Sequence, residues 1–184
     1  AHPPNDVRSP EAGAEVVAIA ATEKAFAALK ANGAVSVWGD AYGGGSNAPN
    51  DVKNPSPGAK VLSISSTDLA FAALKADGSV SVWGDDVAGG EQSGVPQDVA
   101  SPSPGAEVVL VVSSSSAFAA LKANGSVSAW GNPFFGGVPV PDDVAHPAPG
   151  AEVVALASTV WAFAALKANG AVSAWGDIRN GGDP

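Results

Sequence analysis

A chain of 184 residues with 18 acidic and only 9 basic side chains carries a net charge of −9, and it contains no cysteine and no methionine. It lacks the clustered Lys and Arg that release counterions from phosphate, which argues against nucleic acid and anionic membrane surfaces as partners. Disulfides, thiolate nucleophiles and thiolate metal sites are excluded, and the longest apolar runs, such as Val108–Val112, are too short to cross a bilayer.

The N-terminus "AHPPNDVRSP" is polar and Pro-rich, with no hydrophobic signal core. A chain that does not start with Met is expected to be a processed form or a piece of something longer, by signal-peptide removal or by excision from a repeat array. The first recurring phrase, "PxDV", starts at Pro4, Pro49, Pro96 and Pro141, always 9 residues before Gly13, Gly58, Gly105 and Gly150. Each of these Gly residues precedes Trp38, Trp83, Trp130 or Trp175 by 25 residues, and only the stretch from each Trp to the next Pro varies, at 11, 13, 11 and 9 residues. The chain is therefore a repeat array with a period of 45 to 47 residues. The units run approximately over 4–48, 49–95, 96–140 and 141–184, within one domain.

Inside each unit a β-rich run comes first, "EVVAIAA" in unit one and "EVVLVVS" in unit three. Then comes "AFAALK", a hairpin signal (Asn-Gly or Asp-Gly), and "AVSVWG" or a near copy. Ala, Leu and Lys favour helix, but the central Asn-Gly predicts a type I′ hairpin, and the run after it alternates at period two. The reading is three strands per unit, with a short fourth near "PNDV". Phe26, Ala28 and Lys30 share one face of their strand, with Ala27 and Leu29 on the other. One such sheet cannot cover both of its faces alone. Small residues such as Ala18, Ser63 and Ala155 let neighbouring sheets approach, although Leu110 departs from this. The predicted fold is all-β, a propeller of four blades with three to four antiparallel strands each. It is expected either closed on itself, with the N-terminal segment supplying the outer strand of the last blade, or as half of a larger ring made by two chains. Phe26, Phe71, Phe118 and Phe163, with the four recurring Trp residues, are its expected inter-blade core.

The phrase "AFAALKxxGxVSxWG" after a "VxxIA" strand resembles the repeat of RCC1-like β-propeller proteins, most closely the short Ala-rich repeats of bacteria and protists. The resemblance covers essentially the whole chain, four times in phase. It departs where the family has a Gly and a His, here Thr22 and Ala25, and in the loop after the Trp, here "GDAYGGG", "GDDVAGG", "GNPFFGG" and "GDIRNGG". It implies a scaffold with a role in binding. The nucleotide-exchange and chromatin-binding residues of the founding protein find no match, and the acidic charge argues against chromatin.

Candidates for catalysis are few. His2 and His146 do not occupy equivalent positions, and the "SSSS" at 113–116 lacks a neighbouring base. Asp40, Asp85 and Asp177, with Asn132, follow each "WG", and Asp6, Asp51, Asp98 and Asp143 sit in "PxDV". Such carboxylates can bind a hard cation or cap turns; without EF-hand or nonapeptide spacing, capping is the simpler reading. Lys30, Lys75, Lys122 and Lys167 are expected to snorkel and to discourage edge pairing. No enzyme activity, cofactor or metal is expected. A hydrolase using carboxylates at the mouth of the propeller has least support.

Differences between units concentrate in two places: the pair before "AF" and the loop after "WG". They nominate Lys24, Leu69 and Trp161 from the first, and Tyr42, Phe134, Phe135 and Arg179 from the second. The aromatic residues either contact a partner or fill gaps over the core. Asn124 in "NGS" fits an N-glycosylation acceptor, though the turn alone accounts for it. The functional expectation is a non-catalytic binding or assembly module that contacts protein partners or itself. It would be extracellular or at a cell surface, as a unit of a structural array. The alternative is a multivalent, lectin-like propeller that binds glycans, with no equivalent aromatic recurring in its loops.

Overall fold

The computed structural model describes residues 2–182, so Pro184, where a further unit would start, lies outside the described residues. Blade 1 comprises β1 (Val16–Ala21), β2 (Ala25–Lys30) and β3 (Val35–Gly39); blade 2 comprises β4 (Val61–Ser66), β5 (Ala70–Lys75) and β6 (Val80–Gly84). Blade 3 comprises β7 (Val108–Ser113), β8 (Ala117–Lys122) and β9 (Val127–Gly131); blade 4 comprises β10 (Val153–Ser158), β11 (Ala162–Lys167) and β12 (Val172–Gly176). Each blade is an antiparallel three-stranded sheet in chain order. Adjacent blades approach through their first strands, β1 beside β4, β4 beside β7 and β7 beside β10, so these strands line the inside of the array.

The hairpin between the second and third strands forms as expected but with a different turn. Gly33 N–H donates to Lys30 C=O, and only Gly33, at φ +85°, enters the left-handed region. Among the described residues none other than glycine has positive φ, so Asn32 stays right-handed and its Oδ1 instead accepts from Ala34 N–H at 3.0 Å. This is a type I turn closed by a bulged glycine rather than a type I′ turn. It places the left-handed residue where no Cβ resists it.

The expected fourth strand is not a strand. "PxDV" folds into single helical turns, α1 (Asn5–Arg8), α2 (Asn50–Lys53), α3 (Gln97–Ala100) and α4 (Asp142–Ala145). Each follows a Pro whose carbonyl accepts from the turn, as Pro4 does from Val7 and Arg8 N–H at 3.1 Å. The Pro contributes no N–H to a ladder; it is the N-cap, extended at φ −61° and ψ 161° for Pro4, and the helical turn starts at the next residue. Val52, Val99 and Val144 from these turns are fully buried. The N-terminal segment likewise does not complete the last blade: α1 is tied to blade 1, where Asp6 accepts from Lys30 Nζ at 2.5 Å and Ser36 Oγ at 2.6 Å.

The core is three separate joints. Ala25, Ala27, Leu29 and Val35 of blade 1 meet Phe71, Ala73 and Trp83 of blade 2 around Val52. The same sets recur between blades 2 and 3 around Val99, and between blades 3 and 4 around Val144. Each blade therefore has a forward face of Ala, Leu and Val and a rear face of Phe and Trp. In every blade the Phe stacks on the Trp opposite it in the hairpin, with ring centroids 5.2–5.4 Å apart.

With four blades there are only three joints, and the ring is open. Phe71, Phe118 and Phe163 are no more than 1% exposed, whereas Phe26 is 45% exposed. At the other end Leu166 and Val172 are 42% and 63% exposed, whereas Val35, Val80 and Val127 are buried. For Phe26 and Trp38 the expectation of inter-blade packing is thus corrected, because no described blade packs against them.

Candidate functional site

The loop after each "WG" is built on its Asp or Asn. The side-chain oxygen of Asp40 accepts from Tyr42 N–H at 3.0 Å, Asp85 from Ala88 at 2.9 Å, Asn132 from Phe134 at 3.0 Å and Asp177 from Arg179 at 2.9 Å. These three carboxylates and one amide act as turn caps. The loop then returns through a glycine, Gly44, Gly89 or Gly136, at φ near +90°. At each of these glycines a Cβ would strike the ring of the next blade's Phe. The carbonyls of the same three glycines accept from Trp83, Trp130 and Trp175 Nε1 at 3.0–3.2 Å. Glycine here allows a backbone to lie flat on an aromatic pair.

A hydroxyl before "AF" clips that loop to the turn between the first two strands. Thr22 Oγ1 accepts from Ala25 N–H and donates to Gly43 C=O, both at 3.0 Å; Thr67 repeats both bonds, with Ala70 N–H at 3.0 Å and Ala88 C=O at 3.2 Å, and Ser114 repeats the second, donating to Phe135 C=O at 2.8 Å. Sequence reasoning passed over these hydroxyls as mere departures from the family pattern, although a Ser or Thr recurs three residues before "AF" in every unit. Their effect is to bring the two variable segments together on one rim.

On that rim Lys24 Nζ lies 5.4 Å from the centroid of the Tyr42 ring. Trp161 of blade 4 stacks on Phe135 of the blade 3 loop, centroids 4.5 Å apart. Tyr42, Val87, Phe134 and Ile178 project from successive loops, with Phe134 the most exposed at 76%. The Asp85 carboxylate beside Tyr42, with Asp86 close by, holds its phenol above the usual value. Arg179 is also exposed. Leu69 is different: it packs against the joint between blades 2 and 3, and Phe135 likewise packs against the next joint. The nominated residues thus divide into exposed contacts (Lys24, Tyr42, Phe134, Trp161, Arg179) and fillers (Leu69, Phe135).

The opposite rim is polar. Each recurring Lys pairs with the Asp of its own "PxDV" turn, and that Asp also accepts from a strand serine: Lys75 and Ser81 on Asp51 at 2.7 and 2.6 Å, Lys122 and Ser128 on Asp98, Lys167 and Ser173 on Asp143. These lysines are staples holding the helical turn to the hairpin, not free snorkelling cations, and the "PxDV" carboxylates are their acceptors, not turn caps. Hydrogen bonds from Lys30 and Ser36 hold Asp6 below the usual carboxylate value, and those from Lys167 and Ser173 do the same for Asp143. At Asp51 and Asp98 partial burial pushes upward, but the hydrogen bonds outweigh it.

Shallow grooves beside these staples, such as the one lined by Asp98, Lys122, Asn124, Ser128 and His146, are lined by no Phe, Tyr or Trp ring on which a sugar would stack. Asn124 is exposed at its hairpin tip, its Oδ1 held by Ser126 N–H at 3.0 Å. His146 is exposed and faces Asp142 at 3.0 Å. Sequence reasoning did not single out one further row. The bulge at the start of each first strand leaves Val17, Leu62, Val109 and Val154 54–62% exposed at equivalent positions.

No protein-family model matches the chain, and no curated protein matches it in sequence. Solved structures do match. Human WBSCR16 superposes at a TM-score of 0.62 and 20% identity, over 89% of this chain and 48% of that protein. Prp20p of Saccharomyces cerevisiae, studied for its binding to Gsp1p and histones, superposes at 0.60 and 20% identity, over 90% and 44%. The ectodomain of the receptor kinase CR4 from Physcomitrella patens superposes at 0.56 and 19% identity, over 89% and 39%. The fold is that of an RCC1-like propeller, and the chain spans less than half the length of each of these proteins.

Proposed function

We propose that this chain is a non-catalytic, protein-binding scaffold, secreted or displayed at a cell surface, whose contact surface is the loop rim. The observation that carries this reading is the convergence of the two variable segments there. Tyr42, Val87, Phe134, Trp161 and Ile178 put apolar side chains into solvent from a frame fixed by hydroxyl clips and Asp caps. Exposed apolar groups rimmed by charge are what protein interfaces require. Variation placed on a rigid frame is the usual arrangement for recognition. The fold is used for protein contact by Prp20p, which binds Gsp1p and histones. Its use in a receptor ectodomain is in keeping with an extracellular role.

The test is a comparative capture experiment. Wild-type chain, a rim variant (Tyr42→Ser, Phe134→Ser, Ile178→Ser) and a hairpin-tip variant (Asn32→Asp, Asn124→Asp) are immobilised side by side and exposed to extracellular protein and to a glycan array. A protein retained by wild type and the tip variant but lost by the rim variant is the expected result. Retention of one protein set by all three, or of glycans alone, would overturn it.

A further inference from the structure

The two ends of the open array are unlike, and each lacks what the other offers. At the rear of blade 1, Phe26 and Trp38 form the same stacked pair that blades 2 to 4 insert into a joint, but nothing covers it. Val7 of α1, whose counterparts are fully buried in the joints, is only half-buried. At the front of blade 4, Ala162, Ala164 and Gly181 line a pocket of about 100 Å³ with Ala157, Ser158 and Thr159. Ala25, Ala27 and Gly44 are the equivalents of the first three in blade 1, and there the Phe71 ring occupies that place.

Hydrogen-bonding groups repeat the pattern. Within the joints, a Trp Nε1 donates to the loop glycine of the preceding blade; among the described residues the unused counterparts are Trp38 Nε1 at one end and Gly181 C=O at the other. Glu23 N–H donates to Asp68 C=O, Asp68 N–H to Ser115 C=O and Ser115 N–H to Val160 C=O, at 2.8–3.1 Å, which leaves Val160 N–H and Glu23 C=O as the ends of the series. Val61, Val108 and Val153 N–H donate to Gly33, Gly78 and Gly125 C=O, which leaves Val16 N–H and Gly170 C=O. A Cβ on Gly33, Gly78 or Gly125 would overlap the next blade, whereas on Gly170 and Gly181 it would meet nothing. Each open end thus presents one half of a joint that the chain already builds three times.

We propose that the rear of blade 1 docks onto the front of blade 4 of a second copy of this chain, with Phe26 entering the Ala162–Ala164–Gly181 pocket. Two such joints close two copies into a ring of eight blades. The contact is head to tail, and a heterologous contact that closes gives a discrete ring rather than a filament. The proposal rests on the reading of this chain as a protein-binding scaffold and names one partner for it. The loop rims of both copies stay free.

Sedimentation across micromolar concentrations tests it with wild type and two variants, Phe26→Asp and Val172→Asp. Both side chains are exposed in the single chain, so the variants are expected to fold, which circular dichroism checks. Wild type is expected at twice the monomer mass of 17.9 kDa, and each variant alone at 17.9 kDa with dimer affinity lowered at least 100-fold. Mixing the two variants restores the doubled mass, because one joint then combines an intact rear face with an intact front face. A wild-type monomer, an open-ended series of masses, or a dimer that Val172→Asp leaves intact would overturn the proposal. Binding lost only in the rim variant reports on the loop rim separately, whichever mass is found.

Discussion

Replacing the same residue at two repeat positions should have unequal costs, because only one of the two positions has a blade behind it. Phe118 is fully buried, lies 5.3 Å from Trp130 and presses on Gly89. Phe118→Ala loses that burial and opens a cavity inside a joint, for about 3–5 kcal/mol. Phe26 makes the same stack with Trp38 at 5.2 Å but is 45% exposed, and no neighbour closes over it. Phe26→Ala should therefore lose about half of its transfer free energy plus the stacking, roughly 1–2 kcal/mol. Both are best measured in a Val172→Asp background, where the single chain is isolated. With a urea m-value of about 2 kcal/mol/M, the midpoint by tryptophan fluorescence should fall by roughly 1.5–2.5 M for Phe118→Ala and ~0.5–1 M for Phe26→Ala. Equal shifts would refute the open arrangement of four blades with unlike ends.

Gly89→Ala combines a left-handed backbone with a clash against the Phe118 ring and should destabilise by roughly 2–4 kcal/mol. Gly181→Ala, with the same φ but empty space around it, should cost only about 1 kcal/mol by thermal melting of the isolated chain. Asp98→Asn weakens the acceptor of the nearly buried Lys122, and a loss of about 1–2 kcal/mol at neutral pH is expected from the urea midpoint. The four staple aspartates have folded-state values lowered below those of the unfolded chain. Their contribution is therefore complete above the ordinary carboxylate value near 4 and fades as pH falls through the lowered values. Stability should drop as pH falls below about 4, and a variant with Asn at all four positions should show a shallower drop. Phe134→Ala, at a side chain 76% exposed, should change stability by less than about 0.5 kcal/mol and be felt only in partner binding.

Much of this architecture is legible in the sequence, because four copies repeat its physical requirements. Alternation in "AFAALK" assigns the two faces of the second strand, and the structure puts Leu29 forward and Phe26 to the rear as read. The grouping of variable residues in two segments was also legible, but not that Thr22, Thr67 and Ser114 clip those segments to one rim. A hydroxyl that bonds backbone leaves no periodic trace beyond its own recurrence. The short fourth strand expected near "PNDV" is a helical turn instead, because the Pro cannot donate to a ladder and the residues after it turn back onto its carbonyl. The partnership of Lys30 with Asp6 spans 24 residues and depends on the helical turn, so it could not be seen before that turn was known. Exposure at Phe26 and Val172 is the clearest case: the sequence of each unit is the same whether or not a neighbour covers it.

The indole N–H groups provide the most direct test of the account. Hydrogen exchange by NMR on the Val172→Asp chain should find the Nε1 protons of Trp83, Trp130 and Trp175 slow, since each is buried against a glycine carbonyl, and that of Trp38 fast. In wild-type chain at a concentration where two copies pair, Trp38 should join the slow group. A protected Trp38 in the isolated chain would mean that four blades close on themselves, and would contradict the account.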